Sequence, residues 1–280
     1  MPDAGKQRIA GRRRVVRDRI VLMERLEEEE LVELPRTGRL REKQNDRENC
    51  EREKKLPHQS RNYNPPPMPL GTIQALRLLH QTFRHHPPTQ RVHILGRFLS
   101  APFLRTLDVI PQAARVLDIG AGHGTYARLI AEVRSANVVA LEPDLRKALA
   151  AYKHPNVRFV AGLDDCIRGT FDVVVLYDVL YRIPPAQRDA LFGRIHERVK
   201  PGGAFVLKDI DPSRRVKFHW NRLQECIADI LGLSYGQQFT NDSIEVIGDR
   251  LTRAGFTGMH WKRIDAGYPH SHILYTARRA

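Results

Sequence analysis

Cysteine is scarce in this 280-residue chain, which carries only Cys50, Cys166 and Cys226. Their odd number and wide separation exclude a disulfide framework and match no metal-ligand spacing, which fits a reducing compartment. No apolar run approaches the roughly 18 residues that a spanning helix requires. The N-terminus carries charges with no apolar stretch behind them, so it lacks the form of a secretory signal. These absences together predict a cytoplasmic protein. Also missing is the Gly-Lys-Ser/Thr ending of a phosphate-cradling loop.

Charge, by contrast, is abundant. The formal net charge is +14, and it is unevenly distributed. Residues 1–64 contribute +4 from dense blocks of both signs: GRRRVVRDR at 11–19, EEEE at 27–30 and REKQNDRENCEREKK at 41–55. Little in them can be buried, so residues 1–67 are expected to be a disordered tail closed by the linker Asn64-Pro65-Pro66-Pro67. The other +10 lies in the part with apolar periodicity. A basic excess there suits nucleic acid, anionic lipid or a small carboxylate, or is simply a solvated basic surface.

From residue 68 the pattern becomes that of a folded domain. Residues 68–110 read as two helices, the second with Val92, Leu95, Phe98 and Leu99 on one stripe and His93 and Arg97 on one polar face. Residues 111–280 then alternate. Strands are expected at 116–120, 137–142, 157–160, 172–177 and 204–210, with helices at 123–133, 144–152, 185–199, 215–231 and 243–254. A short helix is expected near Asp165, and the chain closes on a hairpin of strands near 258–264 and 272–277. The strands of this alternation are apolar on both faces, as buried parallel strands must be.

The densest signal is VLDIGAGHG at 116–124. A buried strand that must turn at once into a helix needs residues that tolerate positive φ, and Gly120, Gly122 and Gly124 supply them. The following helix would present its N-terminal amides to a ligand over the loop. Glu142, eighteen residues beyond Gly124, closes the next strand, where doubly wound folds grip a ribose diol. The dinucleotide fingerprint fails by count, because the position three after Gly122 is Thr125.

VLDIGAGHG followed by VVALEPD resembles the first two motifs of the class I S-adenosylmethionine-dependent methyltransferases. The likeness continues through VRFVAGLDD at 157–165, FDVVVLYDVLYRIP at 171–184 and VKPGGAFVLKDID at 199–211. It implies a doubly wound α/β fold: seven strands, mostly parallel with the last antiparallel, preceded by helices that cover the cofactor pocket. S-adenosylmethionine would lie across the C-terminal strand ends. Asp118, Gly120, Gly122 and Gly124 would surround its methionine part, Glu142 its ribose, and Asp164 its adenine. Gly162 is followed by Leu163 where the family usually has an acid, so Asp164 takes that role only with a one-residue adjustment, Asp165 or backbone groups being the alternatives.

Methyl transfer from a sulfonium is an in-line displacement, so positioning matters most and no nucleophilic residue is obligatory. Asp209 or Asp211 would orient the acceptor or act as base; His270 and His272 have the ordinary proton affinity for transfer near neutrality. Lys208, His219 and Trp220 are further neighbours. The fourth-strand segment LYDVLY lacks the Asn/Asp-Pro-Pro-Tyr/Phe run of adenine or glutamine amide methylators, and no cysteine there supports covalent pyrimidine chemistry. The expected acceptor is therefore a small or lipid-like molecule, methylated on oxygen, nitrogen or carbon. The alternatives are an RNA or protein methyltransferase that uses the basic surface, and a non-catalytic module that binds S-adenosylmethionine.

Overall fold

The computed structural model describes residues 70–144, 147–148, 152–161, 167, 169–211 and 241–280. The expected helix at 215–231, the segment around Asp164 and Asp165, and His219 and Trp220 lie outside them.

Two helices come first, α1 (Thr72–Thr82) and α2 (Pro88–Ser100), followed by a 3-10 turn at Phe103–Val109. Proline opens α2, where its missing N–H leaves no bond unmade. Then β1 (Arg115–Ile119), α3 (Thr125–Arg134), β2 (Asn137–Glu142), β3 (Val157–Ala161) and β4 (Phe171–Tyr177) follow in order. The chain continues with α4 (Pro185–Arg198), β5 (Val199–Asp209), α5 (Ile244–Arg253), β6 (Phe256–Arg263) and β7 (Ile273–Arg279). The strands form one sheet in the order β3-β2-β1-β4-β5-β7-β6. Pairing is parallel from β3 through β5, and β7 runs antiparallel between β5 and β6. This is the doubly wound methyltransferase arrangement that the motif order implied.

The sheet divides two apolar cores. Val116, Val138, Val173 and Val175 face α1, α2 and α3, where Leu79, Phe98 and Leu129 are buried. Their strand neighbours Leu117, Val139, Val174 and Leu176 face the opposite way, toward Phe192, Ile195, Ile247 and Leu251. Successive residues serve opposite cores, which is why these strands are apolar without alternation. Each such side chain contributes on the order of 1.5–3 kcal/mol by its burial.

Two boundaries differ from the sequence expectation for stated reasons. Helix α3 starts at Thr125, not 123, because its N-cap Gly124 is left-handed at φ +79°. Strand β5 starts at Val199, so Pro201-Gly202-Gly203 lies inside the strand as an irregularity. The register passes from Phe171 opposite Val199 to Val173 opposite Ala204. Helix α5 is capped by Ser243, whose Oγ accepts from the Val246 amide at 3.4 Å.

Gly203 tests this bulge. A Cβ there would stand 2.8 Å from the Lys200 carbonyl and 2.9 Å from that of Asp172, both backbone atoms that cannot swing away. Gly203→Ala is expected to cost about 1–3 kcal/mol of stability, read as a lower urea midpoint at unchanged slope.

Candidate active site

The C-terminal ends of β1, β2, β4 and β5 lie along one edge of the sheet, the edge at which open α/β folds bind ligands. At β1 the turn is built from Gly120, Gly122 and Gly124, with φ of +72°, +60° and +79°. A Cβ on Gly120 would come within 2.5 Å of Val179 Cγ2, and one on Gly124 would collide with the Phe159 ring. Over Gly122 there is open space instead.

The loop is tied to β2. The Gly120 and Ala121 amides both donate to the Leu141 carbonyl, at 2.8 and 3.0 Å. Glu142 continues the tie: its Oε2 accepts from the Gly122 amide at 2.6 Å and its Oε1 from the Asp144 amide at 3.0 Å. Both carboxylate oxygens retain lone pairs for a further donor.

Asp118, on β1 just before the turn, is buried, and its Oδ2 has no hydrogen-bond partner among the described residues. Burial and the Glu142 charge push its carboxyl up to about 7, against the opposing pull of Arg97 and the Ala127 amide. An unpaired carboxylate oxygen beside an open glycine turn is the complement of a cationic ligand.

Across the edge, Asp178 follows β4 in a left-handed conformation, φ +57°, that few non-glycine residues adopt. Its amide donates to the Lys208 carbonyl at 3.0 Å, and its carboxylate pairs with the fully buried Lys208 ammonium. Arg97 of α2 stands 3.6 Å from the same carboxylate. Burial works to raise the Asp178 carboxyl, but Lys208 and Arg97 overcome it and hold it below the usual range.

Histidines from the cap meet the loop. The His123 ring lies 6.1 Å from that of His86 and 6.5 Å from that of His93. Burial, then Lys147 and the other imidazoles, take His123 down to about 4, so it is neutral at pH 7. Nearer β7, His272 Nε2 lies 3.0 Å from the Ser100 carbonyl, and burial and Lys208 take this histidine down to about 3.

A family model described as "Methyltransferase domain" matches residues 91–260. This chain belongs to the class I S-adenosylmethionine-dependent methyltransferase family. An uncharacterized methyltransferase of Synechocystis is 31% identical over 166 residues, 58% of this chain and 74% of its own length. Demethylspheroidene O-methyltransferase of Rhodobacter capsulatus is 30% identical over 117 residues, 40% of this methyltransferase and 29% of the relative. Among solved structures, human N-acetylserotonin methyltransferase in complex with S-adenosylmethionine superposes with a TM-score of 0.52 at 17% identity, covering 75% of this chain and 57% of that one. A complex of a Haloferax volcanii Trm112 methyltransferase activator with a methyltransferase gives 0.53 at 14% identity, covering 71% and 96%. Both share the fold.

The structure brings Asp118, Gly120, Gly122, Gly124 and Glu142 of this methyltransferase together at one turn. Asp164 lies outside the described residues. Asp209 is buried at the end of β5; burial pushes its carboxyl up to about 7 although its Oδ1 accepts from the Ile210 amide at 2.9 Å. Asp211 is committed elsewhere, accepting from Arg263 Nε of β6 at 2.7 Å. His270 is half-buried, its ring 5.9 Å from that of His272. Sequence reasoning did not single out Asp178, His86 or His123 as site residues. Asp178 carried a signal, because a carboxylate directly after a fully apolar strand must stand at the ligand edge.

The coupling of Glu142 to Asp118 has a spectroscopic consequence. In Glu142→Gln the charge that raises Asp118 is gone, so its carboxyl should titrate below about 7. Carboxyl-carbon NMR titration of aspartate-labelled protein checks this; an unmoved midpoint would leave burial as the sole cause.

Proposed function

We propose that this methyltransferase acts on a small-molecule or lipid-like acceptor, methylating oxygen, nitrogen or carbon by in-line displacement. The observation that carries the reading is the cap. Helix α2 and the residues before it place His86, His93 and Arg97 over the glycine loop, so an acceptor has to enter beneath a cover and not lie across an open face. The demethylspheroidene O-methyltransferase name of the Rhodobacter relative supports a small acceptor. A net charge of +14 favours a second reading, an RNA or protein acceptor, which predicts binding that weakens steeply with salt.

The residues present fit S-adenosylmethionine. When bound, it supplies a methyl group already activated on a sulfonium. Gly122 leaves the space for its methionine part, Asp118 Oδ2 offers an unused acceptor to the ammonium, and Glu142 receives the ribose hydroxyls while it holds the loop. Asp178 and Lys208 shape the acceptor side and exclude water from it. Asp209 is suited to hold a proton near neutrality, because its carboxyl lies at about 7. Asp211 instead anchors the β6–β7 hairpin.

Calorimetric titration with S-adenosylmethionine and S-adenosylhomocysteine tests the donor site. Binding is expected in the wild type and lost in Gly120→Asp, whose side chain would collide with Val179 at a left-handed position. No binding to the wild type at millimolar ligand overturns the site.

The same titration has a pH dependence of defined sign. The Asp118 carboxyl lies at about 7 in the free protein, and a cationic ammonium binds its ionised form. Affinity should therefore rise about tenfold from pH 6 to pH 8, with proton release, and Asp118→Asn should flatten the rise. The raised value also means that ionising Asp118 costs stability: the free protein loses its contribution as pH climbs from the unfolded value of about 4 through 7.

A further inference from the structure

We propose that the acceptor is an anion, and that Arg97 recognises its carboxylate or phosphate group beside the methyl-transfer position. This rests on the small-acceptor reading above and names its chemical class.

Asp178 and Lys208 form a pair at the ends of β4 and β5, with side chains 11% and 0% exposed. They neutralise each other. Arg97 faces the same carboxylate at 3.6 Å, beyond hydrogen-bond reach, with its side chain 44% exposed. Among the described residues its guanidinium makes no hydrogen bond. It is thus a second cation directed at an acid that is already engaged.

The neighbouring imidazoles leave its charge unchanged. His93 and His123, on α2 and in the glycine loop, both have lowered proton affinity, caused first by burial. They stand uncharged at neutral pH. Asp118 opposes Arg97 only when ionised, and then it answers the ammonium of the donor. A bound donor brings an ammonium, a carboxylate and a sulfonium, one net positive charge, and Glu142 with Asp118 faces it from the glycine turn, so neither supplies a partner for the Arg97 fork.

A guanidinium with unused donors in a partly dry site draws an anion and strengthens its attraction. Guanidinium, with its planar fork of donors, matches a carboxylate or phosphate in two parallel hydrogen bonds. The placement is also favourable for turnover. Loss of the sulfonium charge on transfer removes one attraction, which assists release of the product.

The test uses the full chain loaded with S-adenosylhomocysteine and three probes of one skeleton: benzoate, phenyl phosphate and neutral benzamide. Calorimetry and saturation-transfer NMR give their dissociation constants. At least one anion should bind about tenfold more tightly than benzamide, and Arg97→Gln should reduce that preference to within about twofold. Arg91→Gln, a cation lost from the opposite end of α2, should leave it intact.

Benzamide binding as tightly as the anions, or a preference that survives Arg97→Gln, overturns the proposal. So does a tenfold loss of S-adenosylhomocysteine affinity in Arg97→Gln, which would assign Arg97 to the carboxylate of the donor. Far tighter, steeply salt-dependent binding of a single-stranded oligoribonucleotide would overturn it in favour of a polyanion. If S-adenosylhomocysteine itself fails to bind, the donor site is wrong; the anion comparison on the free protein still decides the role of Arg97. A folded variant is verified by an unchanged thermal midpoint, and Arg97→Lys, which keeps the charge but not the fork, should retain only part of the preference.

Discussion

Strand β1 is hydrogen-bonded on both edges and buried on both faces, so the chain can leave it only at its tip. That constraint sets the site. The exit has to turn sharply, lie close under a ligand and start a helix, and Gly120, Gly122 and Gly124 do this in the left-handed region. The turn is then fastened to β2 by three amides: Gly120 and Ala121 to the Leu141 carbonyl, and Gly122 to one oxygen of Glu142, whose other oxygen is held by the Asp144 amide. Val179, just beyond β4, closes against Gly120. The ends of three strands therefore behave as one rigid piece, and a change in any of them is felt at the loop.

The same edge holds two buried aspartates with opposite behaviour. Asp118 and Asp178 follow or end neighbouring parallel strands, and burial raises the proton affinity of both. What separates them is the adjacent strand. Beside Asp118, β2 brings Glu142, a like charge; beside Asp178, β5 brings Lys208. Asp118 is accordingly poised near neutrality, whereas Asp178 stays charged. One carboxylate is available to a cationic ligand, and the other is a fixed part of the frame.

Much of this was legible in the residues. The buried parallel strands announced themselves as unbroken apolar runs, and glycines spaced by one marked the turn after β1. Position on the sheet edge also followed, since a polar residue ending such a run must lie at the tip. Pairing was not legible. Asp178 and Lys208 are far apart in sequence and meet because Tyr177 and Lys208 are register partners, a relation set by how β4 and β5 slide against each other. The strand expected from 204 begins instead at Val199, because Pro201-Gly202-Gly203, with the local chemistry of a turn, is absorbed as a bulge by pairing with β4. Asp211 looked like an acceptor-side group by position, and only the placement of β6 showed that Arg263 claims it.

His93 and Arg97 share a helical face by spacing alone, but their direction depends on how α2 is anchored. Ile94 and Phe98 supply that anchor from the buried stripe. Phe98 packs on Phe103, and Phe103 stacks at 4.7 Å on Tyr177, the last residue of β4. An aromatic path therefore runs from the cap helix to the residue before Asp178, and it places Arg97 above that carboxylate. Anchoring and the polar contact to Asp178 are thus carried by different residues of one helix. The polar positions of α2 can change without loosening the apolar ones, so the polar face above the sheet edge can be altered while the glycine turn beneath it stays fixed.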